Sequence, residues 1–256
     1  MCGRYELHTH PAALALAFGL EFPPMIRPRY NIAPTQDIPV IRMGHSGARE
    51  LAQVRWGLVP RWAKDPSIGA RMINARAETV AEKPSFRTAF QRHRCLIPAD
   101  GFYEWRLAPS GGKQPIHVGM KDERPFAFAG LTERWLSPGG EVLDSCTIVT
   151  TTANALLATM HDRMPVIVAP SDYVRWLDVA SDADVTDLLA PYPADAMTWY
   201  PVSMRVNSMR NDDAALLEQV AEADLISSAD APPASVDPDR KATDDEETPP
   251  EQSRLF

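Results

Sequence analysis

Cys2 places a thiol and, once Met1 is removed, an α-amine on adjacent carbons of a single terminal residue. Aminopeptidases take off an initiator methionine when the next side chain is small, and cysteine is small enough, so the mature chain is expected to begin at the thiol. An α-amine of pKa about 8 and a thiol of about 8.5 are each partly in their reactive form near neutrality. Arg4, two residues on, is a cation of the kind that lowers a thiol further. Such a 1,2-aminothiol has a reaction closed to an internal cysteine. The amine condenses with an aldehyde to an imine, and the thiol then adds to that carbon to close a five-membered thiazolidine. The same terminus can instead attack an amide with its own amine as base, as N-terminal-nucleophile hydrolases do. A small residue at position 2 also has the plain reading of an accident of composition.

Three other segments set ionisable or amide side chains in distinctive company. Asn74 and Arg76 lie in NARAET, and Glu104 lies in ADGFYEW among Phe102, Tyr103 and Trp105. Aromatic neighbours dry a carboxyl and raise its pKa, which suits proton transfer near neutrality; Glu104 equally fits a strand surface with aromatics packed behind it. In MHDRMPVIV, His161 stands beside Asp162 and Arg163 ahead of an apolar run, as a second acid/base or as a helix-capping group. RWGLVPRWAKD interleaves Arg55, Arg61 and Lys64 with Trp56 and Trp62. Aromatic faces that stack bases next to cations that meet phosphates are what single-strand nucleic-acid binders use. Trp56, followed by Gly57, reads as core, and Trp62, between Arg61 and Lys64, as the stacking candidate.

The elements that position these residues are mostly short strands. CLIPA, PIHVG, PFAFAGL, CTIVTTT and PVIVAP are brief runs rich in Val, Ile, Phe or Thr, separated by turn residues. Helices are expected over Pro11–Leu20, Ser85–His93, Ala153–Met160, Ser171–Leu177 and Asp212–Ile226. The mixed order predicts an α+β fold, a single domain over residues 1–226 on antiparallel or mixed sheet. Residues 227–256 hold five prolines and eight acidic residues and almost nothing apolar, and are expected to be a disordered tail. The net charge of −8 argues against a generally basic nucleic-acid binder, yet residues 1–100 carry 14 basic against 8 acidic side chains, enough for a local basic face. Cys2, Cys95 and Cys146 form no C-x-x-C, and no signal peptide or long apolar span is evident, which fits a reducing cytoplasm. The six histidines lack zinc-site spacing, so no metal is expected.

MCGRY, RYNIAPTQ, WGLVPRWAKD, NARAET, RCLIPADGFYEW, FAFAGLTERW, CTIVTTTAN and MHDRMPVI together resemble the SOS response-associated peptidase family, which includes abasic-site processing proteins; the likeness spans roughly residues 2–210. It departs at Thr132, where a tryptophan is expected after Gly-Leu. The resemblance implies a barrel-like sheet with short peripheral helices and a positively charged groove. It implies recognition of abasic sites in single-stranded DNA, and capture of the ring-opened sugar aldehyde by Cys2 as a thiazolidine crosslink. Asn74 would orient Cys2 or the sugar, Glu104 would act as acid and base, and His161 would hold or protonate the opened sugar. Arg4, Arg76 and Arg61 would meet DNA, and Trp62 would wedge against a flanking base. No cofactor is needed, because aldehyde and aminothiol supply both reactants. A monomer at damaged or replicating DNA is expected. Thiol peptidase activity and a non-covalent single-strand-binding scaffold are the competing readings. Gln252, Leu255 and Phe256 end the tail as a Q-x-x-L-F peptide suited to docking on a bacterial sliding clamp.

Overall fold

The structure, a computed structural model, describes residues 2–44, 46–107, 112–181 and 183–220. The acidic tail and its terminal peptide therefore lie outside the described residues, as do residues 221–226 of the helix expected over Asp212–Ile226, whose described part makes only a 3-10 turn at Ala214–Leu217 before Gln219 bridges to Val202. The chain opens with β1 (Tyr5–Leu7), α1 (Pro11–Phe18), β2 (Arg29–Ile32), β3 (Asp37–Met43) and β4 (Arg49–Trp56). β5 (Asn74–Arg76), α2 (Arg87–Arg92), β6 (Arg94–Ala99), β7 (Gly101–Leu107) and β8 (Lys113–Met120) follow. β9 (Phe126–Leu136), β10 (Val142–Thr152), β11 (Arg163–Pro165), β12 (Ile167–Val168), α3 (Tyr173–Leu177) and β13 (Met197–Pro201) complete it.

Five strands close on themselves. β10 pairs with β4, β4 with β3, β3 with β6, β6 with β9, and β9 returns to β10. Only the β4–β10 junction is parallel. Closure removes the unpaired edges that a sheet of such apolar strands would otherwise expose. β5 and β11 add to β10, and β12 adds to β9. A second, antiparallel sheet runs β13-β8-β7-β1-β2. The α+β barrel expected from the sequence is thus present, with the helices short and peripheral. The Ala153–Met160 helix is absent: only Leu157–Thr159 makes a 3-10 turn. Asn154 caps that turn, its Oδ1 taking the Leu157 amide at 3.0 Å while its Nδ2 donates to the Tyr192 carbonyl at 2.7 Å.

An aromatic seam joins the two sheets. The Tyr5 ring meets Trp56 edge-on at 5.5 Å and Phe128 at 5.7 Å, and Phe102 meets Phe128 at 5.9 Å. Tyr5, Trp56, Phe102 and Phe128 are all fully buried. Each contributes roughly 1.5–3 kcal/mol through burial, so β1 is fixed on the barrel beside β4 and β9, and Cys2 with it.

One face of β1 carries a charged network. Glu6, 1 % exposed, sets Oε1 at 3.1 Å from His117 Nε2 and Oε2 at 3.0 Å from His8 Nε2. Burial pushes this carboxyl up, but the hydrogen bonds to His117 and His8 outweigh it and hold it below its ordinary value. The Glu6 bond in turn raises His8. Asp100 accepts the His8 and Thr9 amides at 2.6 and 2.7 Å and steadies the turn after β1. The depressed Glu6 pKa contributes stability above the ordinary carboxyl value of 4.5 that is lost as pH falls through the folded value. The raised His8 pKa contributes stability below 6.5 that is lost as pH rises through the folded value. Glu6→Gln is therefore expected to cost about 3 kcal/mol near pH 6, with the gap to wild type narrowing toward pH 3 in urea unfolding. A pH-independent loss would refute the ionic origin.

Candidate functional site

β1 runs antiparallel to β7, with Tyr5 opposite Phe102 and Glu6 opposite Gly101. The Tyr103 amide donates to the Arg4 carbonyl at 2.9 Å, which carries the pairing past the end of the strand. The register thus brings Gly3 and Cys2 alongside Glu104. Alternation along β7 puts Glu104 on the face of Phe102, toward the core, and Tyr103 with Trp105 on the other, where they join a separate cluster with Val202, Val206 and Leu216. The aromatic surround expected for Glu104 is thus supplied by Phe102 alone among its strand neighbours. Glu104 is nonetheless only 4 % exposed and is no surface residue.

Asn74 opens β5, which lies parallel to β10 with Asn74 opposite Ile148 and Arg76 opposite Thr150. Its Nδ2 donates to the Cys2 carbonyl at 2.9 Å. Its Oδ1 is buried without a hydrogen-bond partner among the described residues. His161 follows the 3-10 turn and leads into β11. Its Nδ1 takes the Arg163 amide at 3.0 Å, which assigns the proton of the neutral ring to Nε2. The same Nδ1 lies 2.7 Å from Asp162 Oδ1, a contact that is attractive only when Nδ1 is protonated, so the amide and the carboxylate select opposite states of the ring.

The electrostatics couple these groups. Burial, and then the charge of Glu104, push the Cys2 thiol well above the usual thiol range. Burial raises the Glu104 carboxyl, and His161 opposes that rise. These surroundings disfavour the thiolate that Arg4 was expected to favour. The Arg4 guanidinium points elsewhere, its Nη1 donating to Asn31 Oδ1 and to the Val206 carbonyl, each at 2.7 Å. Arg4 is half-buried, and its Nε has no hydrogen-bond partner among the described residues.

The 57–73 loop joins β4 to Asn74 through a close backbone approach. Gly57 has φ of +129°, and a Cβ there would lie 2.6 Å from the Gly69 carbonyl oxygen. Gly57→Ala is expected to destabilise the fold by about 2 kcal/mol or more and to displace Asn74. Denaturant unfolding checks the first effect, and a stability equal to wild type would contradict it. On this loop Trp56 is core, its Nε1 donating to the Ile73 carbonyl at 2.9 Å, whereas Trp62 is 58 % exposed. Arg61 Nε reaches Glu133 Oε1 at 2.6 Å and its Nη2 lies 3.0 Å from His93 Nε2. Glu133 pairs across β10 with Ser145, three residues from the Ile148 that faces Asn74, so Arg61 sits away from Cys2. Arg76 is exposed beside the site.

Two contributors were not picked out from sequence. Arg163 donates from Nη1 and Nη2 to the two Glu78 carboxyl oxygens, and from Nη2 to the Thr150 carbonyl at 2.5 Å, so it ties His161 to the NARAET segment. Asn31, fully buried, gathers the Val206, Ser208 and Asn211 carbonyls on Nδ2 while accepting from Arg4. Proximity of Arg163 to His161 in the sequence was a usable signal; Asn31 gave none, because its partners lie about 175 residues away.

The sequence matches the SOS response associated peptidase (SRAP) family over residues 1–209. It is 46 % identical over 223 residues to the abasic site processing protein YoqW of Bacillus subtilis, covering 85 % of this chain and 99 % of that protein. It is 32 % identical over 216 residues to the abasic site processing protein HMCES of Xenopus tropicalis, covering 73 % of this chain and 64 % of that one. A crystal structure from Bacteroides thetaiotaomicron superposes with a TM-score of 0.77 at 27 % identity, covering 86 % of this chain and all of that one.

Proposed function

The chain belongs to the SOS response associated peptidase family, and from that premise we propose that it processes abasic sites in single-stranded DNA by bonding them to Cys2. The observation that carries this reading is the meeting of the Cys2 backbone with Asn74, at 2.9 Å, in a buried setting shared with Glu104. With Met1 removed, the α-amine attacks the aldehyde of the ring-opened sugar. Glu104, whose carboxyl burial raises, gives a proton to the departing hydroxyl, which leaves as water and yields the iminium ion. The Cys2 sulfur then bonds to the imine carbon. Its proton passes to the Glu104 carboxylate and restores the acid, while the ring nitrogen keeps the hydrogen it carried as an iminium, so the net change is loss of one water. The free Asn74 Oδ1 is suited to an ammonium or a sugar hydroxyl, and His161 Nε2–H to the opened sugar. Arg4, Arg76 and Arg61 meet phosphates, and Trp62 offers a stacking face.

A thiol peptidase acting on its own leader fits less well. The carbonyl to be attacked would belong to Met1, whereas Asn74 holds that of Cys2. A scaffold that only binds would make no use of a buried Cys2 and Glu104 beside Asn74. We place the protein in the cytoplasm at damaged DNA, as a monomer, with Gln252, Leu255 and Phe256 as a clamp-docking peptide. No helix among the described residues is long and apolar enough to cross a membrane. The decisive test mixes mature protein with a strand carrying one abasic site. A species that survives heat and detergent, with the mass of both partners less one water, is expected; a strand that binds yet is always released on denaturation would end the proposal.

A further inference from the structure

A groove of about 340 Å³ lies between the C-terminal ends of α2 and α3 and the strands β3 and β9, and it contains none of Cys2, Asn74, Glu104 or His161. Five guanidinium groups line it against three carboxylates. Arg94 forms its buried floor, donating to the Trp176, Phe90 and Asp178 carbonyls at 2.6, 2.9 and 2.6 Å. No carboxylate is bonded to it among the described residues. Arg92 is exposed and faces no carboxylate among the described residues. The three remaining pairs, Arg42–Glu50, Arg61–Glu133 and Arg134–Asp144, each have a partner that is substantially exposed. Pairs of that kind are worth about 0–1 kcal/mol and leave donors over.

Two features give the groove an occupant. The Arg61–Trp62 turn that forms one wall belongs to the loop that ends at Asn74. Thr132, on the groove lining, pairs with Cys146 on β10, two residues from the Ile148 that pairs with Asn74 and on the same face of the sheet, about 7 Å along the strand. A nucleic-acid strand carries a phosphate about every 3.4 Å in B-form and at wider spacing when extended, so one strand reaches both places within a few nucleotides. The groove is also open for a definite reason. Thr132, where a tryptophan is expected from the family pattern, lies on its lining and turns Oγ1 to the His93 carbonyl at 3.2 Å.

We propose that this groove is a second contact for the DNA strand, taking backbone phosphates a few nucleotides from the abasic site on Arg92, Arg134 and the floor charge of Arg94. The inference rests on the reading of Cys2 as an abasic-site trap, and its test separates the two. Crosslinking and equilibrium binding are measured for a five-nucleotide strand with a central abasic site and for twenty-nucleotide strands with the site near either end, using wild type, the Arg92→Gln/Arg134→Gln double variant and Thr132→Trp. For the double variant, affinity for one of the long strands should fall about tenfold at 0.15 M salt, and the log–log salt slope should lose about 1.4, or 0.7 per phosphate contact. Thr132→Trp, which fills the groove, should reproduce the loss on the same strand. The short strand should crosslink as in wild type. Unchanged long-strand affinity, or an equal loss on short and long strands, overturns the groove proposal while leaving the trap intact; absence of any crosslink with wild type overturns the trap instead.

Discussion

Cys2→Ala is expected to abolish the heat-stable adduct while leaving affinity for abasic single strands within a few-fold of wild type. The variant keeps a terminal amine, since alanine is also small enough for methionine removal, so it can still form the imine. It lacks the sulfur that converts the imine to a ring. Borohydride reduction should accordingly trap Cys2→Ala on the DNA, although nothing survives denaturation without reductant. That pairing of results isolates the second bond-forming step. A stable adduct in Cys2→Ala without reductant would show that a different nucleophile carries the chemistry. Loss of binding as well would mean that Cys2 is chiefly a packing residue, which its complete burial makes a real alternative.

Glu104→Gln should slow adduct formation by about 10²–10⁴-fold, the usual contribution of a positioned proton donor, with binding little changed. Its pH signature is specific. Burial raises the Glu104 carboxyl above its ordinary 4.5, so the wild-type rate should fall as pH rises through the raised value and the acid is lost; glutamine should flatten that limb. Stability moves the opposite way. Between the ordinary and the raised value the folded protein holds a proton that the unfolded chain has released, so stability declines with rising pH, and the full penalty is present above the raised value. Uncharged glutamine escapes it. Glu104→Gln should melt higher than wild type at pH 8, with the difference vanishing near pH 4. A variant that is slower but also less stable at pH 8 would indicate that Glu104 is a structural partner of the N-terminal segment.

Much of the barrel was legible because its strands are continuous apolar runs. CLIPA, PFAFAGL and CTIVTTT fall in β6, β9 and β10, where burial on both sides removes any need for alternation. β2, β3 and β4 were not read as strands, because RYNI, DIPVIRM and RELAQVRW mix charged residues and a proline with their apolar positions and declare themselves only when paired. The site followed the same division. Cys2, Asn74 and Glu104 carry recognisable chemistry in recognisable motifs, and the structure groups them. The direction of the Arg4 guanidinium and the rise in the Cys2 thiol depend on Asn31, Val206 and burial, which no short window contains. Glu104 was ambiguous because a carboxyl between aromatics looks alike from sequence whether it faces solvent or core. Strand alternation decides it, through the neighbour Phe102.

The pairing of β1 with β7 has a consequence for how the protein is made. β1 leaves the ribosome with β2 close behind, yet its other partner, β7, follows about 100 residues later, and Asp212, which accepts the Tyr30 and Asn31 amides at 2.5 and 2.9 Å, later still. At roughly 5–20 residues per second β1 waits about 5–20 seconds for the strand that sets Glu104 beside Cys2. The removal of Met1 that the proposed reaction needs can therefore take place before β7 closes over Cys2.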